Sequence, residues 1–399
     1  MSIAAFFGFY FSLPKFDRDF DYTVRIAEAL LHGHLGPNEK PPSWLNEFVP
    51  SGDRFYSVFP LGSVLVMLPV GVLKIANVIN GFPSRCVTAL IAALLVYFFF
   101  KLSKFRDISL PRRLLLSFFP VFATWTWCNL GWGGAWQVAL GVAVLGETAA
   151  LFFTLVRPHP LLAGASFALA FGNRTELLLT APFFAFFLLR ERMPNVRSIT
   201  EVMRGLSRAI RAERKTLAQF FLLPAALGLL TAAYNHARFG SVVDFGYSHI
   251  PGVINEPWYR NGIFSVKAVA FNAQQMLFEG MRSIPDFPYF MPSGFGASIF
   301  LSSPFLFLLF REGAPRIWLK ISCWLAILLL TSLLWCHGNP GGWQFSYRYA
   351  MILLPWMFLL ILENGPLRLS ATECILFAVS VVINGLATYL FLWTQRVQP

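Results

Sequence analysis

The stretch Lys15–His34, KFDRDFDYTVRIAEALLHGH, sets Asp17, Asp19 and Asp21 at alternate positions directly before an amphipathic segment. Carboxylates at that spacing suit three kinds of chemistry: a helix cap, a hard-oxygen site for a divalent cation, or a general base. Phe20, Val24, Ala27 and Leu31 fall on one helical face, with Ile26 and Leu30 beside it and Gly33 as a stop. A surface helix of about three turns is therefore expected after the aspartates. Asp17 or Asp19 is its natural N-cap. A cap uses one aspartate and leaves two. DRDFD holds two Asp-x-Asp spacings, yet no histidine or further carboxylate stands beside them to complete a shell, so a divalent metal is an option and no metal ligand is assigned. The remaining use is a base at a membrane–water interface, taking the proton of an acceptor hydroxyl as it attacks a sugar carried on a lipid phosphate. That reaction needs positive charge at the leaving phosphate. Arg18, Arg174, Arg238, Arg260, Lys267 and Arg348, near expected outer ends of spans, are the candidates.

The elements that would position these groups are membrane helices. The chain has 399 residues, 56% hydrophobic and only 13% charged, where a soluble protein is nearer a quarter charged. Apolar runs fall at roughly 60–79, 84–100, 114–127, 134–156, 160–171, 175–189, 217–235, 295–310, 317–336, 347–362 and 371–393. The fold expected is all-α and integral to a membrane, with about ten to twelve crossings. The opening run MSIAAFFGFYFSLP reaches only about 20 Å as a helix. It therefore spans a thinned site or belongs to a longer first helix.

The net charge of +12 lies mostly in joints between spans, at 101–113, 190–215 and 311–320. Lys/Arg bias of this kind marks the cytoplasmic face and excludes nucleic acid as the reason for the charge. In 190–215, Val196, Ile199, Met203, Leu206 and Ile210 share a helical face, and Ser198 with Glu201 has capping-box spacing. An amphipathic helix on an anionic inner leaflet is expected there. Two joints are long, 14–59 and 236–294, and both suit an outer face. They divide the chain into an N-terminal transmembrane module 1–235 that includes the first loop, an outer loop 236–294 with surface helices, and C-terminal helices 295–399. Counting crossings back from 101–113 puts 14–59 on the wrong side. One short segment must therefore be re-entrant, with 60–79 or the pair 160–189 the suspects.

The order of these features resembles the GT-C type glycosyltransferases, the membrane superfamily of protein O-mannosyltransferases and lipid A aminoarabinose transferases. DFDYTVRIAEALLHGHL resembles the acidic start of that family's first surface helix, with Asp19 eight residues before Ala27. YSVFPLGSVLVMLP (56–69) resembles its Tyr…Pro-Pro-Gly lead into the next span, with Leu61 in place of the second proline. YNHARFGSVVDFGY (234–247) and FPYFMPSGFGASIFLSSPFLFLLF (287–310) are similar to a later outer loop and the span after it. GGWQFSYRYAMILLP (341–355) is similar to a Gly-Gly-Trp…Arg-Tyr stretch before a late span. The resemblance implies a polyprenyl-phosphate sugar donor, a glycan, lipid or protein acceptor, inversion at the anomeric carbon and chemistry on the extracytoplasmic face of a bacterial inner membrane. It implies Asp19 as base, with Asp17 or Asp21 as substitutes, and Arg348 as a phosphate contact. It leaves Arg174, Arg238 and Lys267 as phosphate ligands by position only. Tyr56, Trp343 and Tyr347 are expected to line the substrate site.

Glu147 stands inside an apolar run, and an intramembrane carboxylate is a functional candidate by default. It lines the site, or pairs with Lys74 or Arg174. Trp125, Trp127, Trp132 and Trp136 crowd one outer end, as an interfacial belt or as sugar-stacking walls. Cys128 and Cys336 near outer ends leave a disulfide open, the cysteines otherwise reading as small apolar residues. The rival functions are a carrier or flippase for a lipid-linked sugar, which would favour Glu147 and Lys74, and a polysaccharide polymerase with a diphosphate-linked donor.

Overall fold

A computed structural model describes residues 1–190, 199–394 and 396–397. It is 65% helical, with sheet confined to two short hairpins. Their strands are Val49–Ser51 with Arg54–Tyr56 and Met281–Ser283 with Phe290–Pro292. The first helices are α1 (Ser2–Phe11), α2 (Tyr22–Leu31), α3 (Leu61–Leu65), α4 (Leu68–Ile75) and α5 (Ser84–Leu102). The middle of the chain forms α6 (Leu110–Phe122), α7 (Thr126–Gly131), α8 (Ala135–Leu155), α9 (Pro160–Asn173) and α10 (Ala181–Leu189). Then come α11 (Ile199–Ala212), α12 (Arg214–Phe239), α13 (Val269–Leu277) and α14 (Ile299–Ser302). The last three are α15 (Ile317–Cys336), α16 (Leu354–Asn364) and α17 (Ala371–Leu392). Among the described residues five helical stretches are long and apolar enough to cross a membrane: Ser84–Phe105, Ala135–Leu155, Arg214–Phe239, Ile317–Cys336 and Ala371–Leu392. This is a mostly helical membrane protein. The other expected crossings are shorter helices or helices with a 3₁₀ turn at one end, such as Thr175–Thr180 before α10 and Arg348–Leu353 before α16.

Helices pack closely where glycine removes the side chain. A Cβ at Gly164 on α9 would stand 2.0 Å from the Phe220 carbonyl oxygen of α12. One at Gly62 on α3 would stand 2.4 Å from that of Gly172 on α9. In a bilayer, close approach of this kind replaces the hydrophobic effect as the source of helix association.

The chain runs between two ends of the bundle, and the ends differ in chemistry. At one, Arg112, at 0% exposure, bonds Glu373 Oε1 at 2.9 Å, and Arg311 reaches the same oxygen at 3.2 Å. Arg316 pairs with Glu363 at 2.7 Å, and Arg106 donates to the carbonyls of Leu362, Glu363 and Gly365. The basic joints 101–113 and 311–320 therefore share this end. The aspartate loop is at the other, where Arg85 donates to Tyr10 O and Trp393 to Ser12 O. The run 60–79 does not cross between them. Lys74 near the C-terminus of α4 pairs with Glu28 of α2, and Gly71 packs on Ala27 and Leu31. The segment thus begins and finishes beside the aspartate loop, which removes the conflict in the crossing count.

One further expectation is corrected and one open option is closed. Asp21, not Asp17 or Asp19, holds the N-cap position of α2, and its carboxylate bonds Arg25 at 2.8 Å rather than capping the helix. All five cysteines are free, so Cys128 and Cys336 form no disulfide. The boundary drawn at 235/236 falls inside α12. In 190–215, α11 covers Ile199–Ala212; Val196 and Ser198 lie outside the described residues, as do the side chains of Ile199, Glu201 and Met203.

Candidate functional site

A cavity of about 830 Å³ opens at the aspartate-loop end, within the range of small-molecule sites. Its first wall is the loop after α1. Tyr22, 2% exposed, packs its ring against Phe48 and Phe59 at 5.2 and 5.8 Å. Phe59 in turn packs on Trp136 at 4.2 Å. This aromatic stack brings Glu47 to the wall, where Trp136 Nε1 donates to Glu47 Oε2. The second wall is the α7–α8 turn, anchored by Ala135 N donating to Phe20 O at 2.9 Å and contributing Trp132, Trp136 and Gln137.

The end of α9 supplies the third wall with Asn173, Arg174 and Glu176. Arg174 Nε donates to Glu176 Oε1 at 2.8 Å, and its guanidinium lies 4.8 Å from the Tyr349 ring centroid. The fourth wall is the loop from His337 to Tyr349. Gln344 braces it, its Oε1 accepting from Arg348 N at 2.9 Å while its Nε2 donates to Pro340 O at 2.8 Å. Arg348 itself is half-buried and stacks on Tyr349 at 5.2 Å. Its Nε is buried with no hydrogen-bond partner among the described residues. A buried guanidinium donor in that state costs stability unless a ligand completes it.

Glu47 is half-buried and faces the cavity. Burial pushes its carboxyl above the usual carboxylate range, against the Trp136 hydrogen bond and the positive Arg348, which favour the ionised form. His337 moves down, chiefly from burial and also from Arg174 and Arg348, so its ring is neutral near pH 7. Arg174 is ion-paired with Glu176, whereas Arg348, whose Nη2 donates to Tyr349 OH at 3.4 Å, makes no ion pair within 4 Å among the described residues.

Of the residues expected from sequence, Arg174, Trp343 and Arg348 line this cavity. Asp17 is exposed, and Asp19 is half-buried with its carboxylate beside Gly81 rather than in the wall. Burial and the neighbouring Asp21 carboxylate raise Asp19 above its ordinary value. Arg238 is a structural clamp, donating to the carbonyl of Ser57 and to Asn235 Oδ1 and stacking 3.7 Å from the Tyr234 ring. Lys267 is exposed and outside the wall. Tyr56 packs on Phe239 at 6.1 Å, and Tyr347 is core, its OH donating to Leu334 O at 3.1 Å. Glu147 is buried in α8 against Trp356 Nε1 at 2.7 Å, away from Lys74 and Arg174, which have other partners. Trp132 and Trp136 are wall residues, whereas Trp125 is fully buried. Among the described residues no three His, Cys, Asp or Glu side chains converge to hold a metal ion, so the Asp-x-Asp spacings build no such shell.

Sequence reasoning missed Glu47, His337 and Glu176. The available signal for Glu47 was its place in the long 14–59 loop; for His337, its place three residues before the Pro-Gly-Gly-Trp turn. No family model, no curated protein and no solved structure matches the chain.

Proposed function

We propose that this protein is a membrane glycosyltransferase that moves a sugar from a polyprenyl-phosphate carrier to an acceptor hydroxyl. The observation that carries the reading is one cavity wall set holding both a guanidinium with an unpartnered buried Nε, Arg348, and a half-buried carboxylate raised above its ordinary pKa, Glu47. In this reading Arg348 donates to the phosphate of the donor, stabilising the charge that develops as the anomeric C–O bond breaks. The acceptor oxygen forms the new bond at the anomeric carbon from the opposite side. Its proton passes to Glu47, and the lipid phosphate leaves with the bonding electron pair. A raised carboxyl pKa suits a base that works near neutral pH. Asp19, the base implied by resemblance, becomes a rim residue.

A single arginine without an ion pair, beside an Arg174 already paired with Glu176, suits a singly charged phosphodiester better than a diphosphate, which favours this reading over a polymerase. The exposed Leu178 and Leu179 at one side of the cavity give an apolar path for the lipid tail. The short helices complete about ten to twelve crossings, with the cavity end extracytoplasmic and the basic end cytoplasmic in a bacterial inner membrane. The carrier reading rests on Glu147, whose Oε2 is buried without a partner among the described residues.

Mass spectrometry of cell-surface glycans tests this, comparing a deletion strain complemented with wild type, Glu47→Gln, Arg348→Ala or Asp19→Asn at equal membrane levels. One sugar should return with wild type and Asp19→Asn, and not with Glu47→Gln or Arg348→Ala. Restoration by Glu47→Gln with failure of Asp19→Asn would return the base role to Asp19. Full restoration by all three would move the carrier reading ahead.

A further inference from the structure

His337 is a cavity group that the proposed transfer leaves unused. Its Nδ1 lies 2.7 Å from the carbonyl oxygen of Asn339. A carbonyl only accepts, so Nδ1 carries the proton, and the neutral ring has its lone pair at Nε2. Nε2 makes no hydrogen bond among the described residues, and the ring lines the cavity. The ring is also held in place. Asn339 Oδ1 accepts from Gly341 N and Gly342 N at 2.8 and 2.9 Å, which fixes the carbonyl that orients it. Asn272 Nδ2 donates to the His337 carbonyl at 2.6 Å, and the Phe264 and Tyr349 rings stand edge-on at 5.3 and 5.7 Å. A merely packed core histidine would have no need of a defined tautomer facing open volume. Burial with Arg174 and Arg348 keeps the ring neutral, so the acceptor persists at neutral pH, with Glu176 the one nearby charge acting the other way.

We propose that His337 is a specificity-determining residue whose Nε2 accepts a hydrogen bond from a hydroxyl of the sugar on the lipid-phosphate donor. This rests on the transfer reading above and adds the part of the donor that Arg348 does not address. A site built with a polar partner for a hydroxyl discriminates against ligands that lack it, because the partner is then left desolvated. One neutral hydrogen bond of this kind corresponds to about five- to tenfold in affinity.

The test is binding to the detergent-solubilised full chain, read by quenching of the cavity tryptophans Trp132, Trp136 and Trp343. The probes are farnesyl phosphate, used as its methyl diester so that every probe carries one charge, and its gluco-, galacto-, manno- and arabino-phosphodiesters. Wild type should prefer at least one sugar-bearing lipid over farnesyl phosphate by about five- to tenfold. His337→Phe should erase that preference while still binding farnesyl phosphate. His337→Gln, whose side-chain oxygen replaces Nε2, should keep most of it. Arg348→Ala should weaken both kinds of lipid. If His337→Phe binds neither lipid, His337→Leu decides in the same assay. Persistence of the preference without an acceptor at 337, or its absence from wild type while farnesyl phosphate binds through Arg348, overturns the role of His337 and leaves the transfer reading standing. Failure of wild type to bind any of these lipids overturns both.

Discussion

At the scale of single residues, the cavity depends on how two groups answer each other across it. Glu47 is raised by burial and pulled back by Trp136 and Arg348. A base must be ionised, so kcat/KM should rise with pH along a limb that lies above the ordinary Glu range. Trp136→Phe removes a hydrogen bond to the ionised form, so the proton is held more tightly and that limb should move to higher pH. Asp19→Asn should leave it where it is. A pH–rate profile of the three proteins checks this, and an unmoved limb in Trp136→Phe would remove Glu47 from the proton-transfer step. The aspartates were easy to see in the sequence because three acids at alternate positions have a pattern. Glu47 has none: it is one of three irregularly spaced acids, with Glu39 and Asp53, in a Pro-rich stretch. Its placement comes from the packing of Tyr22, Phe59 and Trp136, which lie far apart in sequence.

At the scale of elements, the surface helix α2 was legible because its apolar residues recur at helical spacing and Gly33 stops it at φ 76°. The α3–α4 pair was legible only in part: its apolar run has the composition of a span, the crossing count made 60–79 one of two suspects for a re-entrant segment, and the contacts to α2 and α9 decide for it. Those contacts also tie two cavity walls together, since α3 follows Pro60 and α9 leads into Arg174. Gly62→Ala should therefore push α3 off the Gly172 backbone, costing about 1–3 kcal/mol. Gly228 on α12 gives the contrast, because nothing lies within 4 Å of a Cβ there. Gly228→Ala should be neutral, or stabilise the helix by about 0.5–1 kcal/mol. Thermal unfolding of the two variants in one detergent tests the pair. Equal shifts would mean that the Gly62–Gly172 contact does not hold the wall.

At the scale of the whole molecule, chemistry and fixation sit at opposite ends. The basic joints were legible in the sequence as a charge bias, but their partners were not, because Glu363 and Glu373 are single acids in apolar surroundings. Around Glu373 the N-termini of α6 and α17 meet, and Arg112 also donates to Ile361 O at 3.0 Å, so α16 is held as well. A pair at 0% exposure on both sides contributes less by its attraction than it would cost if halved. Glu373→Ala leaves Arg112 buried and uncompensated, and should destabilise by about 3–5 kcal/mol. Arg112→Met combined with Glu373→Leu removes both fully buried charges and should lose less, because their desolvation disappears with them, while the Arg311 contact and the Ser370 cap that Glu373 also makes are still lost. The cavity stands at the far end, so whatever fraction of either protein remains folded should bind lipid phosphate as wild type does. Unfolding in detergent, with farnesyl phosphate affinity measured on the folded fraction, separates the two statements. A double variant as unstable as Glu373→Ala would show that the pair contributes through its geometry. A loss of affinity in the folded fraction would show instead that the two ends are coupled through α16 and the 3₁₀ turn before it, which together join Arg348 at one end to Glu363 at the other.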